Sequence, residues 1–262
     1  ANLAAQVASG VAQGYGQDSL EDANSVFVES GAAVTAAQAK SVQDLVNYSG
    51  GDLDISDTAA ALISAGDHVL DVNGVDVVTV NNGATSANDG AILAGFTADV
   101  EFEVEDSASA LIAEMGRADP ASYLTEANDI TVNNDGNGDR VVNANDGAIL
   151  AGFTADVDFD VVDTATAIAA EVTGSNGLGD LNEAADVVVA SGDVNAADAA
   201  AIQQISEYNA SGSNYEITDN AAAVIGAGNS VIENAGVNRV EVTDDATALE
   251  CCPKYLQCKC RL

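Results

Sequence analysis

Apolar positions along the chain follow two alternating periods. Short strand-like runs rich in β-branched residues give way to Ala-rich stretches whose apolar positions recur at helical spacing. One series of runs is VFVES (26–30), VVTV (77–80), ITV (130–132), VVVA (187–190) and VEVT (240–243), read as short buried strands. The first four are each followed by a loop and a helix: AAQAKSVQDL, ANDGAILAGF twice, and AADAAAIQQI. A second series ends in Asp, followed by a small polar residue and an Ala-rich run: LDISDTAAAL (53–62), FEVEDSASAL (102–111), FDVVDTATAI (159–168) and YEITDNAAAV (215–224). Its aspartates, Asp57, Asp106, Asp163 and Asp219, are spaced 49, 57 and 56 residues apart. The segment Ala87–Val100 recurs identically as Ala144–Val157. Such internal repetition marks a stacked array.

The pattern predicts an α/β repetitive solenoid of about four strand-loop-helix-strand-helix units with parallel strand stacking. Strands alternating with helices pair in parallel through crossovers, and each unit buries its apolar face on its neighbours. Units are expected at 26–76, 77–129, 130–186 and 187–239. A partial N-terminal repeat falls at 1–25, the start of a further repeat at 240–250, and a Cys-rich basic tail at 251–262. In the second series the Asp and the following Thr, Ser or Asn are expected to cap helices. The chain starts and stops mid-repeat. That predicts either a segment of a longer array or open ends that pair head-to-tail, a heterologous contact that does not close.

The charge is strongly one-sided. The 262 residues carry 42 Asp+Glu against 7 Lys+Arg, a formal net charge of -35. A surface this acidic repels phosphate backbones and anionic lipid, so no nucleic acid and no membrane insertion are expected. Hydrophobic residues make up 47%, which argues against acidic disorder. Aromatics are only 4%, so the core is expected to be thin and aliphatic, as stacked layers require. Bound cations would relieve the self-repulsion of the folded state.

The run from Asp135 to Asp146 has the spacing of a calcium loop. Oxygen side chains fall at positions 1, 3, 5, 9 and 12, namely Asp135, Asn137, Asp139, Asn143 and Asp146, with the backbone carbonyl of Val141 at position 7. Calcium takes six to eight oxygens, and this spacing wraps them around one Ca2+ ion. The run resembles the dockerin version of the EF-hand loop, which ends in Asp followed by a helix. It departs from that pattern in having Arg140 where Gly is usual and a short terminal Asp in place of Glu. The competing reading is an Asn/Asp/Gly turn that only caps a helix. Shorter sister loops keep Asn82 and Asp89, or Asn195 and Asp198, and read as turn-plus-cap copies.

Segments such as VTAAQA (34–39) alternating with ISDTAAAL (55–62) make the array similar to repeats of bacterial, notably cyanobacterial, extracellular surface and hemolysin-type calcium-binding proteins. The resemblance covers about residues 1 to 250 and implies an extracellular or cell-surface location in calcium-rich surroundings. The expected function is that of an extracellular structural protein, a self-assembling filament or surface-layer subunit stabilised by calcium. Its partners would be itself, as a head-to-tail homopolymer, or neighbouring surface components. The alternative is a calcium-stabilised spacer or adhesion module of a longer exported protein.

All four cysteines, Cys251, Cys252, Cys258 and Cys260, sit in CCPKYLQCKC. Export favours disulfides among them. An appended tail joined at Leu249–Glu250 and a thiolate metal site are the other readings, although the spacing is no standard zinc pattern. No catalytic constellation is recognisable: His68 has no neighbouring nucleophile in sequence, and no P-loop, G-x-S-x-G or H-E-x-x-H occurs. The chain is not expected to be an enzyme.

Overall fold

The computed structural model describes residues 24–28, 33–115, 124–153, 156–174 and 181–244. It divides into two compact units, one reaching Gly138 and taking in Phe153–Asp156, the other starting at Asp139 and resuming from Val157.

In the first unit the described elements are β1 (Val26–Val28), α1 (Ala36–Gln43), β2 (Tyr48–Gly51), β3 (Leu53–Asp57), α2 (Ala59–Ala65), α3 (Asp67–Leu70), β4 (Val75–Val80), α4 (Ala87–Leu93), β5 (Val100–Glu101), β6 (Val104–Asp106), α5 (Ala108–Met115) and β7 (Ile130–Val132). Every strand pair is parallel: β1 with β2, β3 with β4, β4 with β5, and β6 with β7. Period-two alternation sends Leu53, Ile55, Val78, Val100, Phe102, Val104, Ile130 and Val132 to the buried side, where Leu62, Leu93 and Leu111 of the helices meet them. Register runs from Ile55 to Val78 to Val100, so each strand lies beside the one that follows its helix.

The second unit repeats this scheme with β8 (Val141–Val142), α6 (Ala144–Ala151), β9 (Val157–Asp158), β10 (Asp160–Thr164), α7 (Ala165–Thr173), β11 (Asp186–Ser191), β12 (Asp193–Val194), α8 (Ala196–Ile202), β13 (Tyr215–Asp219), α9 (Ala221–Ala227), α10 (Asn229–Ile232) and β14 (Val237–Val242). Val142, Val161 and Val187 share one parallel register and Val194, Ile217 and Val240 another. Consecutive helices pack on one another as consecutive strands pair: α6 on α7, α7 on α8, α8 on α9. The chain is thus a mixed α/β protein whose strands form several small parallel sheets. Tyr215 is the bulkiest fully buried side chain among the described residues, and its hydroxyl accepts from Gln203 Nε2 at 2.7 Å. Burial pushes the Tyr215 phenol far above its ordinary value, so it serves the core as a neutral hydroxyl.

One long-range side-chain bond recurs along the chain. Asp57 Oδ2 accepts from the first helical amide of α1, that of Ala36, at 3.0 Å. The same bond joins Asp106 to Ala87 of α4, Asp163 to Ala144 of α6, Asp219 to Ala196 of α8 and Asp244 to Ala221 of α9. In each case the acceptor lies 19 to 23 residues beyond the amide it holds, at or just past the end of a later strand. Asn134 fills the place for α5, accepting from Ala108 across 26 residues. The sequence unit of strand, loop, helix, strand and helix holds two strand–helix rungs, and this bond joins a rung to its successor at six of the described helices.

The aspartates of the second series do not cap the helices that follow them. Thr58, Thr164 and Asn220 are the N-caps of α2, α7 and α9, accepting from Ala61, Ala167 and Ala223. Each Asp instead uses Oδ1 to hold the amide of that cap residue, at 2.8 Å for Thr58 and 2.7 Å for Ser107, Thr164 and Asn220. One carboxylate so binds the cap of its own rung and the helix of the rung before. Helix N-terminal amides are orphan donors with a favourable dipole for an anion, so the carboxylate suits the place.

The duplicated ANDG segment has a steric reason. A Cβ on Gly90 would come within 2.8 Å of Val104 Cγ2, and one on Gly147 within 2.8 Å of Val161 Cγ2. Glycine lets α4 and α6 lie flat on their strands.

Asp163→Ala strips the acceptor from both Ala144 and Thr164 and should lower the unfolding free energy by about 1–3 kcal/mol. Asp163→Asn should lose less, since Asn134 holds its helix with an amide oxygen. Urea unfolding of both variants measures the difference.

Candidate metal centre

The twelve-residue loop falls across the boundary between the units, with Asp135–Gly138 in the first and Asp139–Asp146 in the second. In the first part, Asp135, Gly136, Asn137 and Gly138 are exposed. Asp135 Oδ1 accepts from the Asn137 amide at 2.7 Å, closing an Asx turn, and the Asn137 side chain donates back to the Asp135 carbonyl at 3.2 Å. Gly138 N donates to Asn133 Oδ1 at 3.0 Å. Gly136 and Gly138 take positive φ, 72° and 91°, which allows two turns within four residues.

In the second part, Asp139 Oδ1 accepts from the Val141 amide at 3.1 Å. Val141 belongs to β8 and is paired with Asp160, so its backbone is set by the sheet. Arg140, at the position usually glycine, ion-pairs with Asp158 and Asp160. The hydrogen bond to Asp158 and the charge of Asp160 raise its pKa above the ordinary value. Asn143 is the N-cap of α6: its Oδ1 accepts from the Asp146 amide at 2.9 Å, and its Nδ2 donates to Asp146 Oδ2 at 2.8 Å.

An exact counterpart of this last pair exists where no calcium loop precedes it. Asn195 caps α8, accepts from the Asp198 amide at 2.8 Å and donates to Asp198 Oδ2 at 2.8 Å. Ser86 caps α4 by accepting from Asp89. The same capping bonds therefore form at Asn143 and Asp146 whether or not a long loop precedes them. Only Asp135, Asn137 and Asp139 are specific to the longer loop. Their donor set is all oxygen, as a hard cation such as calcium requires. Among the described residues no three His, Cys, Asp or Glu side chains converge. The dockerin-like spacing does not need such a cluster, since it draws on amide and backbone oxygens as well.

His68 is exposed in α3. A shallow groove of about 160 Å³ lies where β11, β12 and β13 meet, with Asp193 and Glu216 on its walls, and Glu216 is already paired with Arg239. Cys251, Cys252, Cys258 and Cys260 lie outside the described residues, as do residues 1–23 of the partial first repeat and 245–250 of the last. Among the described residues no helix is long and apolar enough to cross a membrane.

The carboxylates that bridge rungs were the feature that sequence reasoning missed. A signal was present: the residue after each Asp is already a good cap, so an Asp kept at all four places serves something else.

No model of a protein family matches the chain, and no curated protein does.

In the presence of chelator, Asn143→Ala and Asn195→Ala should each cost about 1 kcal/mol of stability, the loss of one helix cap. Thermal or urea unfolding of the two variants side by side measures whether the costs match.

Proposed function

We propose that the chain is an extracellular structural protein, a calcium-stabilised subunit that assembles with copies of itself into a filament or surface layer. The observation that carries this reading is the recurrence of one interaction, a strand-end carboxylate on the N-terminal amide of the preceding helix, at Asp57, Asp106, Asp163, Asp219 and Asp244. A rung built this way has two unlike sides, one offering a helix amide and the other a carboxylate. Stacking within the chain and stacking between chains then use the same chemistry. A contact between unlike faces of identical subunits is heterologous and continues without closing. A repetitive solenoid is the architecture that such rungs propagate.

Calcium has two supports in this reading. A formal charge of -35 would accumulate along a polymer, and divalent cations are the efficient way to screen it. The spacing of Asp135, Asn137, Asp139, Val141, Asn143 and Asp146 offers one defined place for the ion, and it is sequence spacing alone that speaks for it. The alternative, a spacer or adhesion module within a longer exported protein, would use the same rungs with no contact between copies.

Negative-stain electron microscopy of the purified chain in millimolar calcium, and then in chelator, tests the proposal. Filaments or sheets that form in calcium and dissolve in chelator are the expected outcome. Isolated particles in both conditions would sink the assembly reading and leave the spacer.

A further inference from the structure

Three Asn–Gly pairs lie within the described residues: Asn73–Gly74, Asn82–Gly83 and Asn137–Gly138. An Asn side chain followed by glycine is open to attack by the glycine nitrogen, because the hydrogen side chain of glycine leaves that nitrogen unshielded. The reaction also needs a backbone that can swing the nitrogen onto the amide carbon. The three pairs differ sharply in that respect.

Asn73–Gly74 is wedged. The Gly74 carbonyl accepts from Leu53 at 2.8 Å, and a Cβ at Gly74 would fall 2.6 Å from the nitrogen of Gly51. Asn137–Gly138 is tied. The Gly138 amide donates to Asn133 Oδ1 at 3.0 Å, and the Asn137 side chain is held by Asp135. Asn82–Gly83 has neither restraint. Both residues are exposed, Gly83 has φ of 89°, and nothing stands within 4 Å of its missing Cβ. Among the described residues neither the Asn82 side chain nor the Gly83 amide has a hydrogen-bond partner. The segment is anchored only outside the pair, by Asn81 N on the Asp57 carbonyl at 3.0 Å and Thr85 N on the Glu103 carbonyl at 2.8 Å.

We propose that Asn82 is a site of spontaneous covalent modification, converted through a cyclic imide to aspartate and isoaspartate while the chain stays folded. The Gly83 nitrogen gives its proton to solvent base and bonds to Cγ of Asn82. The bond from Cγ to Nδ2 breaks, and the nitrogen takes up a proton and leaves as ammonia. Water then opens the five-membered imide at either carbonyl, and no oxidant or reductant is involved. Each event adds one carboxylate, and the isoaspartate product also adds one methylene to the backbone, in the loop that leads to the Ser86 cap. Because both anchors lie outside the pair, the rung persists after conversion.

The test is peptide mapping by mass spectrometry of the full chain, incubated at mildly alkaline pH either folded or in denaturant. In denaturant all three asparagines should convert at comparable rates. In the folded chain Asn82 should keep a rate close to its denatured one, while Asn73 and Asn137 slow several-fold. Asn82→Gln should abolish conversion in its own peptide and leave the other two unchanged. Protection of Asn82 equal to that of Asn73 and Asn137, or conversion of all three at one rate in the folded chain, would overturn the proposal.

Discussion

A carboxylate that holds two backbone amides in different rungs is the interaction on which the rest of the molecule depends. A strand and a short helix cannot bury enough apolar surface alone, and the helices here are one to three turns long. The first amides of a helix have no partner within the helix and need an acceptor. For α1, α4, α6, α8 and α9 the Asp at or just past the end of a following strand supplies it, so those rungs are complete only when a successor is in place. Sheet register, helix packing and capping then all agree on one spacing between rungs. Such agreement between levels makes a single fold favourable.

The small side chains follow from the same geometry. Helices that begin under a carboxylate and lie close on a strand leave room for Ala and Gly at the contact, as Gly90 and Gly147 show against Val104 and Val161. The buried face is accordingly Ala, Val, Ile and Leu, with Phe102, Phe159 and Tyr215 as the only aromatic side chains among the buried described residues. A thin core of this kind contributes little per rung.

Much of this was legible in the sequence. The strand runs at 77–80, 130–132 and 187–190 fall on β4, β7 and β11, and the helix after each loop begins at its Ala, at Ala36, Ala87, Ala144 and Ala196. Alternation and β-branched content sufficed there because burial dictates the period. The long-range partner of Asp57 or Asp163 was not legible, since an Asp before a Thr already has a local explanation as part of a cap. The loop at 135–146 illustrates the converse: its spacing suggests a metal, yet Asn143 and Asp146 are matched bond for bond by Asn195 and Asp198. A liganding pattern and a capping pattern share the same residue types, so spacing alone does not separate them.

The remaining acids have a different role. Arg140 takes Asp158 and Asp160, Arg239 takes Glu216 and Glu241, and Lys40 takes Asp44. These pairs are partly exposed and individually weak. Among the described residues these pairs engage three basic side chains, so a chain of net charge -35 stays strongly acidic.

Native-state hydrogen exchange of the first helical amides tests the central claim most directly. The amides of Ala36, Ala87, Ala144, Ala196 and Ala221 should exchange as slowly as those of the strands they join, opening only when neighbouring rungs separate. Exchange as fast as that of the exposed Gly83 amide would contradict it, and would reduce the aspartates to surface acids that happen to lie near helix ends.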